Sequence, residues 1–310
     1  MSKNQTGIGW TRALLTAGMV CCSVATTAVA EGGSSPETSA TSESYQLRHH
    51  LMPGQVLRYE VTHVAKTKTK MDKAEETSSM HTISVRAWEV GDSSESKMTF
   101  QHQIESVEMT QQNGDQEEVR WDSSSDEVPP AMFQAVADQM GSPLATVTIN
   151  ERGQEVHRES HGGTKANLGM GELVLAFPKE PVKIGGSWAV PTEIKARKED
   201  GSIKPIKIRQ LYTLEKVKVG VATIRIKSEA LTPIDEESVR AQVVQQLNNG
   251  TLRFDLDNGY LLSKELNWDE TVVGFRGAGS MMEYRARLNE KLIGGSSVQA
   301  AKAGRSVLSR

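Results

Sequence analysis

Apolar and polar residues alternate with period two along most of the chain, the pattern of strands with one buried face. Leu57, Tyr59 and Val61 alternate with Arg58, Glu60 and Thr62; Ile83, Val85 and Ala87 alternate with Thr82, Ser84 and Arg86. Met98, Phe100 and Ile104 stand among Thr99, Gln101 and Gln103, and the pattern returns at Ile206 and Ile208, Ile224 and Ile226, and Leu252, Phe254 and Leu256. Each apolar set is expected to face the core. Asn258-Gly259 between two such runs predicts a type I′ hairpin, whose central residues both need positive φ. Asn150-Glu151-Arg152-Gly153 predicts a slightly longer turn of the same use.

Period 3.6 replaces period two in two places. Phe133, Val136, Ala137 and Met140 share a helical face behind Pro130, and Gly141 with Pro143 ends the run. Val239, Val243 and Leu247 share another, with an acidic capping-box start at Thr232-Pro233-Ile234-Asp235 and a stop at Asn248-Asn249-Gly250. The predicted fold is therefore mainly β, of α+β class: long, curved antiparallel sheets with two amphipathic helices. The element order also repeats. A glycine turn (Pro53-Gly54, then Gly185-Gly186) opens a long strand, more strands follow, then a helix, then a hairpin closed by Gly153 or Gly259. This order predicts two tandem modules, 45–165 and 166–293, the first enlarged by a segment around Asn113 to Asp126.

The ends read differently. Lys3 and Arg12 precede an apolar run from Ala13 to Ala25 and then Ala28-Val29-Ala30, the layout of a secretory signal over 1–30 cut between Ala30 and Glu31. That run is shorter than the ~20 apolar residues a membrane-spanning helix needs, and no later segment approaches that length. Cys21 and Cys22 lie inside it behind Gly-Met-Val, a poor approach for lipoprotein processing, so cleavage leaves a cysteine-free chain with no disulfide and no thiol chemistry. Residues 31–44 and 294–310 are small, polar and charged, too poor in apolar surface to offset the entropy of ordering, and are expected to be a disordered linker and tail. The expected address is the periplasm or the extracellular medium.

The openings MPGQVLRYEVTH and VKIGGSWAVPTEI, the hairpin VTINERGQEV and the stretch GTLRFDLDNGYLL resemble those of uncharacterised exported bacterial β-rich proteins, grouped only as domains of unknown function. The resemblance covers most of the body and implies no catalytic motif. In layout, long antiparallel strands with a helix before a hairpin are also similar to half-barrel carriers of lipid or lipoprotein acyl chains, an architectural analogy.

The 310 residues carry 36 Lys and Arg against 39 Asp and Glu. Loss of the leader, which holds two of those bases and no acid, makes the mature balance more negative, and this argues against a nucleic-acid partner. No nucleophile elbow, zincin helix, phosphate loop or zinc-spaced cysteine set occurs, and no cofactor is implied. The glycine pairs Gly169/Gly171 and Gly277/Gly279 lack a strand-to-helix setting. His157 and His161 fall near the end of a hairpin, about 13 Å apart at the rise of a strand, so one ion cannot hold both. His63 and His81 are the better-placed metal candidates: strands paired so that residue numbers sum to 144, across a hydrophilic loop from Lys66 to Ser78, would set them opposite each other on the apolar face. Two histidines still lack the further ligands zinc requires, and a hydrogen-bonded pair at the core rim is the plainer reading. Asp255 to Gly259 is one residue short of a calcium loop. Trp88, Trp121, Trp188 and Trp268, all in strand-like runs, are expected in the core.

The sequence thus leads to an exported non-enzymatic β-rich protein whose sheets bind an apolar small molecule or an envelope protein. The alternatives are an interaction module with a filled core and, third, an exported hydrolase whose groups converge only in space.

Overall fold

Alternating β-branched and aromatic residues build one long antiparallel sheet. The structure is a computed structural model and describes residues 43–94, 96–126, 128–161 and 174–297; the expected leader with its Ala30/Glu31 cut, linker residues 31–42 and the Gly169/Gly171 pair lie outside them. The first half holds β1 (Ser44–Tyr45), β2 (Gln55–Met71), β3 (Ala74–Ser93), β4 (Lys97–Asn113), β5 (Val119–Asp122), β6 (Ala145–Asn150) and β7 (Glu155–Ser160). The second holds β8 (Val182–Lys183), β9 (Ser187–Arg197), β10 (Ile203–Lys218), β11 (Val221–Ala230), β12 (Asn249–Asp255), β13 (Tyr260–Val273) and β14 (Ser280–Ser297). Twelve strands form a sheet of order β7-β6-β4-β3-β2-β14-β13-β12-β11-β10-β9, with β5 paired to β4, and β1 and β8 form a separate pair. The mainly β, antiparallel class expected from the pattern is what the chain adopts.

The two halves share this sheet and have the same connectivity up to their hairpins, after which the second half adds β14. In each, three meandering strands are followed by a helix and then a hairpin, and the halves join where β2 pairs β14. Gly54 and Gly185 both take positive φ, 74° and 83°, and donate their N–H to the neighbouring strand, at the Val90 and Leu214 carbonyls respectively. The extra segment of the first half is the β4–β5 hairpin. The last strand runs four residues past the expected boundary at 293, because Gly294–Ser297 pair with Arg58–Gln55.

The helices are shorter than the pattern suggested. A 3₁₀ turn (Ala131–Phe133) leads into α1 (Gln134–Ala137), and α2 (Glu237–Val243) ends in another (Val244–Gln246). Phe133 and Val136 pack on Ile104, Val107, Met109 and Trp121, while Val239 and Val243 pack on Ala196, Ile206 and Ile208. The expected capping box is not made: α2 starts at Glu236 without a side-chain cap, and Asp235 instead pairs with Lys204. Among the described residues no helix is long and apolar enough to cross a membrane.

What fills the remaining inner face is chain outside the sheet. Two straps, 46–52 and 174–181, bring Leu47, Leu51, Leu175 and Phe177 into one cluster with side chains from both ends of the sheet order, among them Ile149 and Trp188. The straps are gripped by the two equivalent hairpin turns. His49 and Phe177 donate their N–H to the Glu151 and Arg152 carbonyls, and His50 donates to the Gly259 carbonyl. Both glycines lie at positive φ, 74° and 70°, and a Cβ at Gly153 would strike the Leu175 carbonyl and the His49 ring, one at Gly259 the His50 backbone.

The Asn258-Gly259 turn is not type I′. Asn258 has no positive φ, and Asp255 organises a wider turn by accepting the N–H of Asp257 and Asn258 through its carboxylate and that of Gly259 through its carbonyl. The two-residue turns are Asp72-Lys73, where hydrophilic loop was expected, and Val219-Gly220. Cross-strand pairing of the Thr- and Lys-rich end of β2 with Glu75, Glu76 and Thr77, including the Lys68–Glu75 ion pair, extends those strands through the supposed loop.

Because Gly153 and Gly259 hold the straps against backbone, alanine at either position should cost about 2–4 kcal/mol in urea denaturation. Gly141→Ala is the control: its φ is 72° but no atom lies within 4 Å of a new Cβ, so only the backbone cost of about 1 kcal/mol is expected. Equal losses at all three positions would contradict the clasp.

Candidate binding site

The register of β2 against β3 decides which residues the inner face presents. Residues pair with numbers summing to 145, through the Met71↔Ala74 turn, so Tyr59 faces Arg86, Val61 faces Ser84 and His63 faces Thr82. His81 pairs with Val64 and is exposed, on the face opposite to His63. The proposed His63–His81 pair is therefore not formed, and among the described residues no cluster of three or more His, Cys, Asp or Glu could hold a metal. The same one-residue shift turns Thr82, Ser84 and Arg86 inward and leaves Ile83 and Val85 half-exposed, the reverse of the expected orientation.

The result is a buried polar layer across the sheet centre. Arg86 donates through Nε to Ser84 Oγ at 3.1 Å, Lys264 pairs with Glu290 on adjacent strands, and the Tyr59 hydroxyl donates to the Leu261 carbonyl at 3.0 Å. Burial lowers Arg86 to about 10, while the Glu290 carboxylate acts the other way. Tyr59 is pushed up by burial, then by Glu290. Two imidazoles complete the layer. Burial and then the charges of Arg86, Arg158 and Lys264 hold His102 down at about 3, and burial and Arg86 lower His63. His63 Nδ1, Thr82 Oγ1 and His102 Nε2 have no hydrogen-bond partner. No nucleophile is paired with a base here; the layer offers fixed charge and polar contacts. A buried register inversion leaves no mark in the alternation of β3, so the layer was not found from sequence.

A second feature lies where the sheet's two ends approach across the second strap. A groove of about 450 Å³ runs between the β6–β7 hairpin and β9, within the size range of small-molecule sites. Ile149, Val174, Ala176, Phe177, Trp188 and Val190 supply apolar walls, and Arg152, Glu155 and Arg158 line it with charge. Glu155 holds Arg158 through Nε and Nη2, and Arg152 bonds to Gln154. The strap that floors it is tied down by Trp188 Nε1 to the Ala176 carbonyl at 2.8 Å and by Arg48 to the Pro178 carbonyl at 2.9 Å. Behind it stands His49, buried, its Nε2 2.8 Å from the Leu175 carbonyl and its ring 5.0 Å from that of Phe177. Burial lowers His49 to about 4 against the raising effect of the Leu175 and Gly259 carbonyls.

Other expected positions fall as follows. Trp88, Trp121 and Trp188 are buried, and Trp268 is half-buried with its indole N–H on the Gln245 carbonyl. His157 lies on exposed β7, and His161 just beyond it is exposed too.

Residues 159–261 match the model of a family of unknown function, DUF6263. A comparison with curated proteins gives no match. Among solved structures, a lipovitellin structure described by its lipid–protein interactions matches with TM-score 0.41 and 11% identity over 80% of this chain, which spans 26% of the lipovitellin chain. The open-gate secretin InvG of the Salmonella SPI-1 injectisome matches with TM-score 0.18 and 7% identity, over 84% of this chain and 66% of that one. The class that the strand order and register define is a mainly antiparallel β protein.

Two buried neutral histidines make stability depend on pH. Their folded pKa values, about 4 and about 3, lie below the ordinary 6.5, so the unfolded chain binds more protons and stability falls as pH drops below 6.5. His49 alone should remove about 3 kcal/mol between pH 6.5 and 4. His102→Phe, which removes a buried Nε2 that has no hydrogen-bond partner, should keep most of the neutral-pH stability and flatten this acid limb. Urea midpoints independent of pH from 7 to 4 would refute the assignment.

Proposed function

We propose that the protein is an exported, non-enzymatic binding protein that takes an amphipathic small molecule in the groove between the β6–β7 hairpin and β9. The observation that carries the reading is the groove itself, apolar in its walls and flanked by Arg152 and Arg158. An acyl chain burying about 300 Å² there gains roughly 7 kcal/mol before the costs of binding are met, so saturable binding also draws on a charged head group at Arg152 or Arg158. Export is supported by the order of charged start, apolar run and Ala28-Val29-Ala30. A protein partner of the envelope and a periplasmic or extracellular address belong to the same proposal.

A second reading, an interaction module with a filled interior, is favoured by one observation. The inward Leu, Ile, Val and Phe residues of the sheet are covered by the straps and helices. The ligand is accordingly assigned to the edge groove and not to the broad inner face.

The test is titration of the delipidated mature chain with a dansyl-labelled undecanoic acid, read by energy transfer from tryptophan. Saturable binding is expected, competed by extracted envelope lipids, weakened at least ~10-fold by Val190→Asp and kept by Val190→Met. Absence of saturable binding, or equal binding by Val190→Asp, leaves the filled module. N-terminal sequencing of exported protein should begin at Glu31; a mature chain retaining Cys21 would refute the cleavage.

A further inference from the structure

The β10–β11 hairpin turns on Val219 and Gly220, both at positive φ, 48° and 70°. A type I′ turn of this kind favours Asn, Asp or Gly, and a β-branched side chain is strained there. Val219 is also 99% exposed, so no packing offsets the strain. A costly aliphatic side chain held out in water at a hairpin tip points to something it touches outside the chain.

The surroundings indicate what that is. Ile184, 52% exposed, lies at the same end of the sheet, because the next residue, Gly185, bonds to the Leu214 carbonyl of β10. Lys183, Lys216 and Lys218 are exposed beside these two side chains in sequence. Of the carboxylates on this side, Glu215 is paired with Arg225, while Asp255 binds the N–H groups of its own turn and Asp257 sits against Gly220, two acids set against the three lysines. An exposed aliphatic tip with Lys216 and Lys218 within three residues of it, and a net excess of lysines over unpaired acids, fits a surface that is apolar beneath a layer of anions.

We propose that this end of the sheet docks onto an anionic lipid bilayer, with Val219 entering the interface and Lys183, Lys216 and Lys218 on the headgroups. Such docking is peripheral and reversible: one small side chain and three lysines give attraction that salt screens. Val219, Lys216 and Lys218 are not among the residues that line the groove, so the two sites can be tested separately.

The test separates binding from folding because the key substitution should stabilise the protein. The chain beginning at Glu31 is sedimented with vesicles of phosphatidylcholine containing phosphatidylglycerol, and with pure phosphatidylcholine. Sedimentation is expected with the anionic vesicles only, lost in ~0.5 M salt. Val219→Asn should raise the thermal midpoint while weakening partitioning about 10-fold, and Lys216→Gln with Lys218→Gln should weaken it with an unchanged midpoint. Val190→Asp, in the groove, should sediment like the parent. No sedimentation with anionic vesicles, or full sedimentation of Val219→Asn, overturns the proposal; sedimentation lost only in Val190→Asp transfers the lipid contact to the groove.

Discussion

A sheet this long and buried on one face needs something to cover that face, and the remainder of the structure follows from how the chain does so. The two short helices cover the flanks below β4 and β10. The rest is closed by two straps drawn from the segments that precede the halves, each ending in a glycine turn that starts the next long strand. The N–H groups of His49, His50 and Phe177 are satisfied by the tips of the β6–β7 and β12–β13 hairpins, so the straps count as core despite having no regular structure over most of their length. The edge groove follows from the same solution, because its floor is strap.

Most of the fold was legible in the chain. Period-two alternation placed Leu57, Tyr59, Val61, Phe100, Ile206, Ile224 and Phe254 inward, and the repeated order of glycine turn, strands, helix and hairpin matches the connectivity of both halves. The function of Gly153 and Gly259 was legible only in part. A sequence marks them as turn residues, but the close approach of a strap, which excludes a Cβ, depends on non-local contacts: Leu175 and His49 for Gly153 and His50 for Gly259.

The largest departure is the orientation of β3. Matching its apolar residues to those of β2 gives pairs summing to 144 and a short β2–β3 pairing; the two-residue Asp72-Lys73 turn fixes the sum at 145 and turns Arg86, Ser84 and Thr82 inward. Burying an arginine is costly unless it is solvated by protein groups, and here Ser84 and the nearby Glu290 supply that setting. Alternation alone assigns the apolar set to the core by default, so a strand that buries its polar set reads backwards. The same inversion separates His63 from His81 and removes the metal candidate.

The claim on which the account rests is that the straps belong to the cooperative core. Native-state hydrogen exchange of the His49, His50 and Phe177 amides measures it directly, since these donate to the two hairpin tips. Exchange of all three with the same opening free energy as central amides of β2 and β14 is the predicted result. Exchange of the three by a local opening, while β2 and β14 stay protected, would contradict it.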